Sequence, residues 1–168
     1  MSERTARLRL QHEYQELQKE KHEEFKVYFK ENDIMNWTFE MRGPPGTIYE
    51  NGIFKGDIKF PTSYPFSPPV VTFASRMFHP NIGQTGRVCM NILHLPSNSQ
   101  DSDTCWLPTL TVEKVLLSLS CLLAEPNPSS SLNQTAARLL MSDRDEYDRR
   151  VKITVEESIN KQPSRLAN

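Results

Sequence analysis

The chain has 168 residues, enough for one domain with a sizeable core and short for two, so we read residues 1–168 as a single domain. Hydrophobic residues make up 37%, charged residues 24%, and the formal net charge is -1, so no global positive field marks a nucleic-acid binder. No apolar run approaches the roughly 20 residues that span a bilayer, and the polar opening MSERTARLRL lacks the apolar segment of a signal peptide, so a cytosolic or nuclear protein is expected.

Between Thr5 and about Lys21, Leu10, Tyr14 and Leu17 recur at helical spacing while Arg4, Arg7, Arg9, Glu13, Glu16 and Lys19 occupy the other faces. This pattern predicts an amphipathic first helix with a solvated charged side. Period-two alternation then predicts four strands, around Phe25, Val27 and Phe29; Trp37, Phe39 and Met41; Phe54, Gly56, Ile58 and Phe60; and Val71 and Phe73. Turn signals at Gly43-Pro44-Pro45-Gly46 and Glu50-Asn51-Gly52 favour antiparallel neighbours in a meander, with Trp37 and the alternating aromatics in the core. Pro61 to Pro69 carries four prolines and reads as a stiff surface loop, on which Phe66 would lose little entropy when a partner buries it.

The most informative stretch is residues 78–93, FHPNIGQTGRVCMNIL. Cys89 sits in a short apolar run after the turn Gly83-Gln84-Thr85-Gly86-Arg87, whose glycines can supply positive φ. A partly exposed thiol beside a cation such as Arg87 can act as a nucleophile or carry an acyl group, although free cysteines are more often buried hydrophobes. The proline of His79-Pro80-Asn81 pushes His79 towards an extended conformation. Asn81 can donate to an oxyanion on an acyl carbon, stabilise a turn through an Asx bond, or do both. Three cysteines without a CxxC pair fit free thiols. His79, Cys89, His94 and Cys105 are close in sequence but lack the paired spacing of a zinc site, so no metal is expected.

Residues 94–105, HLPSNSQDSDTC, have no periodicity and read as a loop with an exposed thiol at Cys105. Val112, Val115, Leu116, Leu119, Leu122 and Leu123 predict a central buried helix over Thr111–Leu123, with Thr111 as N-cap and Cys121 in or near the core. Glu125-Pro126-Asn127-Pro128 ends it, and Ser129-Ser130-Ser131 makes a polar exit. A shorter helix is expected around Gln134 to Leu140. Ser142-Asp143-Arg144-Asp145 then reads as a capping box opening a last helix, on which Tyr147, Val151, Val155 and Ile159 repeat; Arg138, Arg144, Arg149 and Arg150 lie on solvated faces, and residues 162–168 read as a frayed tail.

HPNIGQTGRVCMNIL, with Asn81 eight residues before Cys89, resembles the active-site signature of the ubiquitin-conjugating (E2) enzymes. Tyr49-Glu50-Asn51-Gly52-Ile53-Phe54, Phe60 to Pro69, Trp106-Leu107-Pro108, Lys114-Val115-Leu116-Leu117-Ser118 and Glu125-Pro126-Asn127-Pro128 follow the family's order over almost the whole chain. The resemblance implies an α/β (α+β) fold: an N-terminal helix, a four-stranded antiparallel meander, an active-site loop and three C-terminal helices. It implies that Cys89 takes ubiquitin from an E1 as a thioester and passes it to lysines of protein substrates with a RING- or HECT-type E3, Asn81 stabilising the oxyanion or the loop that holds it. His79 and Pro80 would support the site. ATP and Mg would be used by the E1, with no cofactor bound here.

By the same resemblance, Arg7 and Arg9 would help dock the E1 and E3, and Phe66, Pro108 and Thr109 would form the E3-docking surface, although Trp106-Leu107-Pro108-Thr109 departs from the Ser-Pro-Ala that many broad-range members have. The 94–105 insertion and its flanks look most like the G class; its Asp101 and Asp103 would favour an incoming lysine or shape the site, or else belong to a solvated loop. Ser130 stands where many members have an acid, as a neutral gate offset by Asp101 and Asp103 or as a gate regulated by a phosphate of about -2 charge. Two rival readings remain, an E2 for a modifier such as NEDD8 or SUMO and a non-catalytic E2-like module. A cysteine protease would need a histidine base beside the thiol, and His79 reads as part of a structural turn.

Overall fold

The hydrophobic alternation becomes four strands, β1 (Phe25–Phe29), β2 (Asn36–Arg42), β3 (Ile53–Lys59) and β4 (Val70–Phe73), in a computed structural model that describes residues 3–29, 31–97 and 104–160. They form an antiparallel sheet in the order β1-β2-β3-β4, with Val27 opposite Phe39 and Met41 opposite Phe54. That register puts Phe25, Val27, Trp37, Phe39, Met41, Phe54, Ile58, Val71 and Phe73 in the core, as the alternation requires. Trp37 is buried with its indole N–H donating to the Ile34 carbonyl at 2.8 Å, which satisfies its polar end. The expected meander and the three C-terminal helices are present. Asp101, Asp103 and residues 162–168 lie outside the described residues.

Helix α1 (Glu3–Lys19) buries Leu10 and Leu17 as the spacing predicts, with Ala6 beside them, while Tyr14 is half-buried. Glu13 is a correction: instead of facing solvent it is 5% exposed and accepts from the Tyr64 hydroxyl at 2.7 Å, the Val112 backbone N–H at 2.8 Å and the Arg9 guanidinium. A buried carboxylate is tolerable only when paired and fully hydrogen-bonded, and here three donors converge on it. Tyr64, in the proline-rich loop, is thus an internal anchor, and burial first and the Glu13 carboxylate second raise its pKa.

Helix α2 (Val112–Ala124) starts from Thr111, whose side chain accepts from the Lys114 N–H at 3.3 Å. Its Val112, Val115, Leu116, Leu119 and Leu123 are buried, but Cys121 is exposed, contrary to expectation. Two positions from Leu119 is about 200° around the helix, which turns Cys121 away from the buried stripe.

Asn133 caps α3 (Gln134–Ser142), accepting from the Ala136 N–H at 3.0 Å. The expected capping box is shifted by one residue. Ser142 ends α3 with its hydroxyl donating to the Arg138 carbonyl, while Asp143 accepts from the Glu146 N–H at 3.1 Å and so opens α4 (Arg144–Asn160). Tyr147, Val151 and Val155 of α4 are buried, and Ile159 is exposed. Among the described residues no helix is long and apolar enough to cross a membrane.

Candidate active site

The segment after β4 is stitched back onto the sheet. Phe73 N–H donates to the Gly86 carbonyl at 2.8 Å and Val88 N–H to the Val71 carbonyl at 3.1 Å. Only one of the two turn glycines uses its freedom: Gly86 has φ +84°, and a Cβ there would lie 2.0 Å from the Phe73 carbonyl oxygen. Val88 and Met90 point inward, which leaves Cys89 half-buried on the other side, a shelf that gives the thiol the partial exposure its chemistry needs. Its N–H donates to the Asn81 carbonyl at 2.9 Å, fixing the thiol-bearing residue to the His79-Pro80-Asn81 turn.

That turn is held from within. His79 is fully buried; its Nδ1 accepts from the Asn81 N–H at 3.0 Å, which leaves Nε2 protonated to donate to the Leu122 carbonyl at 2.9 Å. Burial pulls its pKa down to about 4, partly opposed by the Leu122 bond, so the ring is neutral at physiological pH. Neither ring nitrogen is free to take a proton from the thiol or to bind a metal. Pro80 is buried too, and its carbonyl accepts from Leu132 N–H at 2.8 Å and Asn133 N–H at 3.0 Å.

Asn81, 1% exposed, reaches across to the segment after α2. Its Nδ2 donates to the Asn127 carbonyl at 2.7 Å and the Ser130 carbonyl at 3.1 Å, and its Oδ1 accepts from the Asn127 N–H at 2.8 Å. Both amide protons therefore hold backbone carbonyls. Of the roles that the sequence allows, this geometry provides for holding the loop; donation to an oxyanion would require one of those bonds to open. Ser130 enters the site through its carbonyl and is itself exposed.

The sequence reading weighed His94 only as a metal ligand. A short 3-10 turn, Asn91–Leu93, brings it back to the thiol, with Nε2 3.5 Å from Cys89 Sγ. Its backbone is pinned on both sides, His94 N–H donating to the Asn91 carbonyl at 2.9 Å and Trp106 N–H to the His94 carbonyl at 2.8 Å. The insertion thus leaves and returns through one backbone contact beside Cys89. Cys105, next to Trp106, is half-buried rather than exposed.

Trp106 also donates its indole N–H to the Pro65 carbonyl at 2.7 Å, joining the loop after β3 to the loop before α2. Phe66 and Leu107, the next residue in each loop, are 47% and 41% exposed; Pro108 is half-buried and Thr109 exposed. On α1, Arg7 and Arg9 are both partly exposed; Arg7 pairs with Glu3 at 2.7 Å, whereas Arg9 is bound to Glu13 and the Leu110 carbonyl. Arg9 therefore has a structural engagement that Arg7 lacks.

Comparison with known proteins adds an independent line. The family described as Ubiquitin-conjugating enzyme matches residues 9–155. A ubiquitin-conjugating enzyme E2 of African swine fever virus (strain Badajoz 1971 Vero-adapted) is 41% identical over 153 residues, covering 88% of this chain and 71% of the viral one. A probable ubiquitin-conjugating enzyme E2 31 of Arabidopsis thaliana is 44% identical over 128 residues, 76% of this chain and 77% of that protein. A ubiquitin-conjugating enzyme E2-18 kDa of Schizosaccharomyces pombe is 38% identical over 157 residues, 90% of this chain and 95% of that protein. With the fold in place and nearly the whole chain matched, the protein belongs to the ubiquitin-conjugating enzyme (E2) family, transferases that work in general with ubiquitin, an E1 and an E3.

Proposed function

We propose that Cys89 carries ubiquitin as a thioester received from an E1 and gives it to a substrate lysine while an E3 is bound. The observation that supports this most is the placement of the thiol: half-buried, reachable, and fixed through its own N–H to the Asn81 carbonyl. Transfer of an acyl group to an amine depends more on orientation than on a strong base, and a rigid shelf supplies orientation. Asn81 acts by fixing the segment 127–130 against the shelf, with His79 and Pro80 beneath it. Ser130, exposed and with its carbonyl on the Asn81 amide, is a gate without charge of its own.

Phe66, Leu107, Pro108 and Thr109 make the E3-docking surface in this reading, supported by the Trp106–Pro65 bond that ties the two loops together. Arg7 is the better E1-docking candidate, since Arg9 is engaged with Glu13. The insertion at 94–105 supports a G-class reading. ATP and Mg are used by the E1, so no cofactor is required here, and the site of action is the cytosol or nucleus.

The second reading exchanges ubiquitin for NEDD8 or SUMO on the same thiol. Charging reactions with ubiquitin, NEDD8 and SUMO, each with its own E1 and ATP-Mg, separate the two on non-reducing gels. A dithiothreitol-sensitive adduct with ubiquitin is expected. An adduct with another modifier alone would transfer the proposal to that modifier, and no adduct with any active E1 would leave a non-catalytic module.

A further inference from the structure

We propose that His94 is a catalytic residue, the proton acceptor for the Cys89 thiol when ubiquitin is loaded. The inference rests on Cys89 being the loaded cysteine. Its Nε2 lies 3.5 Å from Sγ, within reach of a hydrogen bond to sulfur. With Nδ1 protonated, Nε2 is the acceptor and the thiol S–H the donor. The contact comes from a fixed backbone: the His94 N–H and carbonyl are both bonded, the latter to Trp106, which is itself tied to Pro65. The imidazole is exposed, so a proton taken up there can leave again.

Other described groups are poorly suited to this task. His79 has one nitrogen accepting from Asn81 and the other donating to Leu122, inside the core. The titratable groups on the segments about His94 are Arg87 and Cys89 before the 3-10 turn and Cys105 where the chain returns. Arg87 has donors only and cannot accept a proton. Asp101 and Asp103 belong to the same insertion, outside the described residues.

The Cys89 proton passes from Sγ to His94 Nε2 as Sγ attacks the E1 thioester carbonyl; the new Sγ–C bond forms and the E1 S–C bond breaks. The leaving E1 thiolate then takes the proton from the imidazolium. No oxidant, metal or further reactant is needed. Thiolate is the reactive form and hydroxide supplies less of it as pH falls, so an acceptor in contact with Sγ counts most at the acidic end of the range and least at the alkaline end.

The test is single-turnover loading from ubiquitin-charged E1 between pH 6 and 9, each variant taken as a ratio to wild type at the same pH. His94→Gln is expected to load about tenfold more slowly at pH 6.5 and to converge on wild type near pH 9. His94→Ala is expected to recover part of its lost rate when imidazole is added. A pH-independent ratio, or no rescue by imidazole, would overturn the assignment, because a purely structural defect gives both. A second measurement needs no E1: alkylation of Cys89 by iodoacetamide in a Cys105→Ser/Cys121→Ser background, with and without His94→Gln. The same alkylation pH profile with and without His94 would also overturn it. Failure of the wild-type protein to form a thioester even at pH 9 would instead remove the carrier role of Cys89 on which the inference rests.

Discussion

Asn81 commits both faces of its side-chain amide to backbone groups of the segment after α2. Its place eight residues before Cys89 marks it for the site, and an amide near a thiol suggests an oxyanion donor. Its partners Asn127 and Ser130 lie 46 and 49 positions on, a separation that no local pattern encodes. Three bonds from a side chain 1% exposed make it a clamp. Asn81→Ala is therefore expected to lower the unfolding free energy by about 2–3 kcal/mol in urea titrations, since two carbonyls and an N–H lose their partner. Unchanged stability with a slower transfer rate would point back to the oxyanion role.

His79 makes a pH-dependent contribution of definite sign. Its folded pKa of about 4 lies below the ordinary histidine value near 6.5, because burial disfavours the charged ring. Below pH 6.5 the unfolded chain takes up a proton that the folded protein resists. The contribution is complete above about pH 6.5 and lost as pH falls towards 4, amounting to about 3 kcal/mol. Urea unfolding at pH 7 and 4.5 should show this loss, and His79→Gln should flatten it. An equal pH slope in the variant would contradict the assignment.

At the scale of elements, the strands and α2 were legible because alternation and the i, i+3, i+4 stripe are local consequences of burial on one face. The misreadings share a different origin. Glu13 has Arg9 at i-4, the pattern of a solvated surface pair, while its other partners, Tyr64 and Val112, lie 51 and 99 residues away. Cys121 has apolar neighbours in sequence that suggest the core, but helical phase turns it outward. The last helix was opened one residue early because Ser142 and Asp143 are both good caps, and only the observed bonds separate them.

Glu13 thus joins three elements: α1, the proline-rich loop carrying Phe66, and the start of α2. Glu13→Ala leaves the Tyr64 hydroxyl, the Val112 N–H and Arg9 without this acceptor and is expected to destabilise the fold by about 3 kcal/mol or more. Thermal unfolding checks this, and a variant as stable as wild type would show that the buried carboxylate is dispensable. Glu13→Gln should cost less, since it keeps one acceptor oxygen.

For the whole molecule, the fold places a reachable thiol where two distant segments, 79–82 and 127–133, are bonded together. The motif blocks were readable in order along the chain. The placement of His94 was not, because nothing in Asn91-Ile92-Leu93 announces a 3-10 turn that brings residue 94 back to residue 89. Exposure alone would favour a different cysteine, since Cys121 is exposed while Cys89 and Cys105 are half-buried. In the proposed function, position and support, rather than exposure, select the carrier. The most direct measurement is intact-mass analysis after charging with E1, ATP-Mg and ubiquitin, comparing a Cys105→Ser/Cys121→Ser protein with Cys89→Ser. The account predicts one reductant-labile ubiquitin on the protein that keeps only Cys89, and none or a reductant-resistant ester on Cys89→Ser. A reductant-labile adduct that persists on Cys89→Ser and is missing from the Cys105→Ser/Cys121→Ser protein would contradict it.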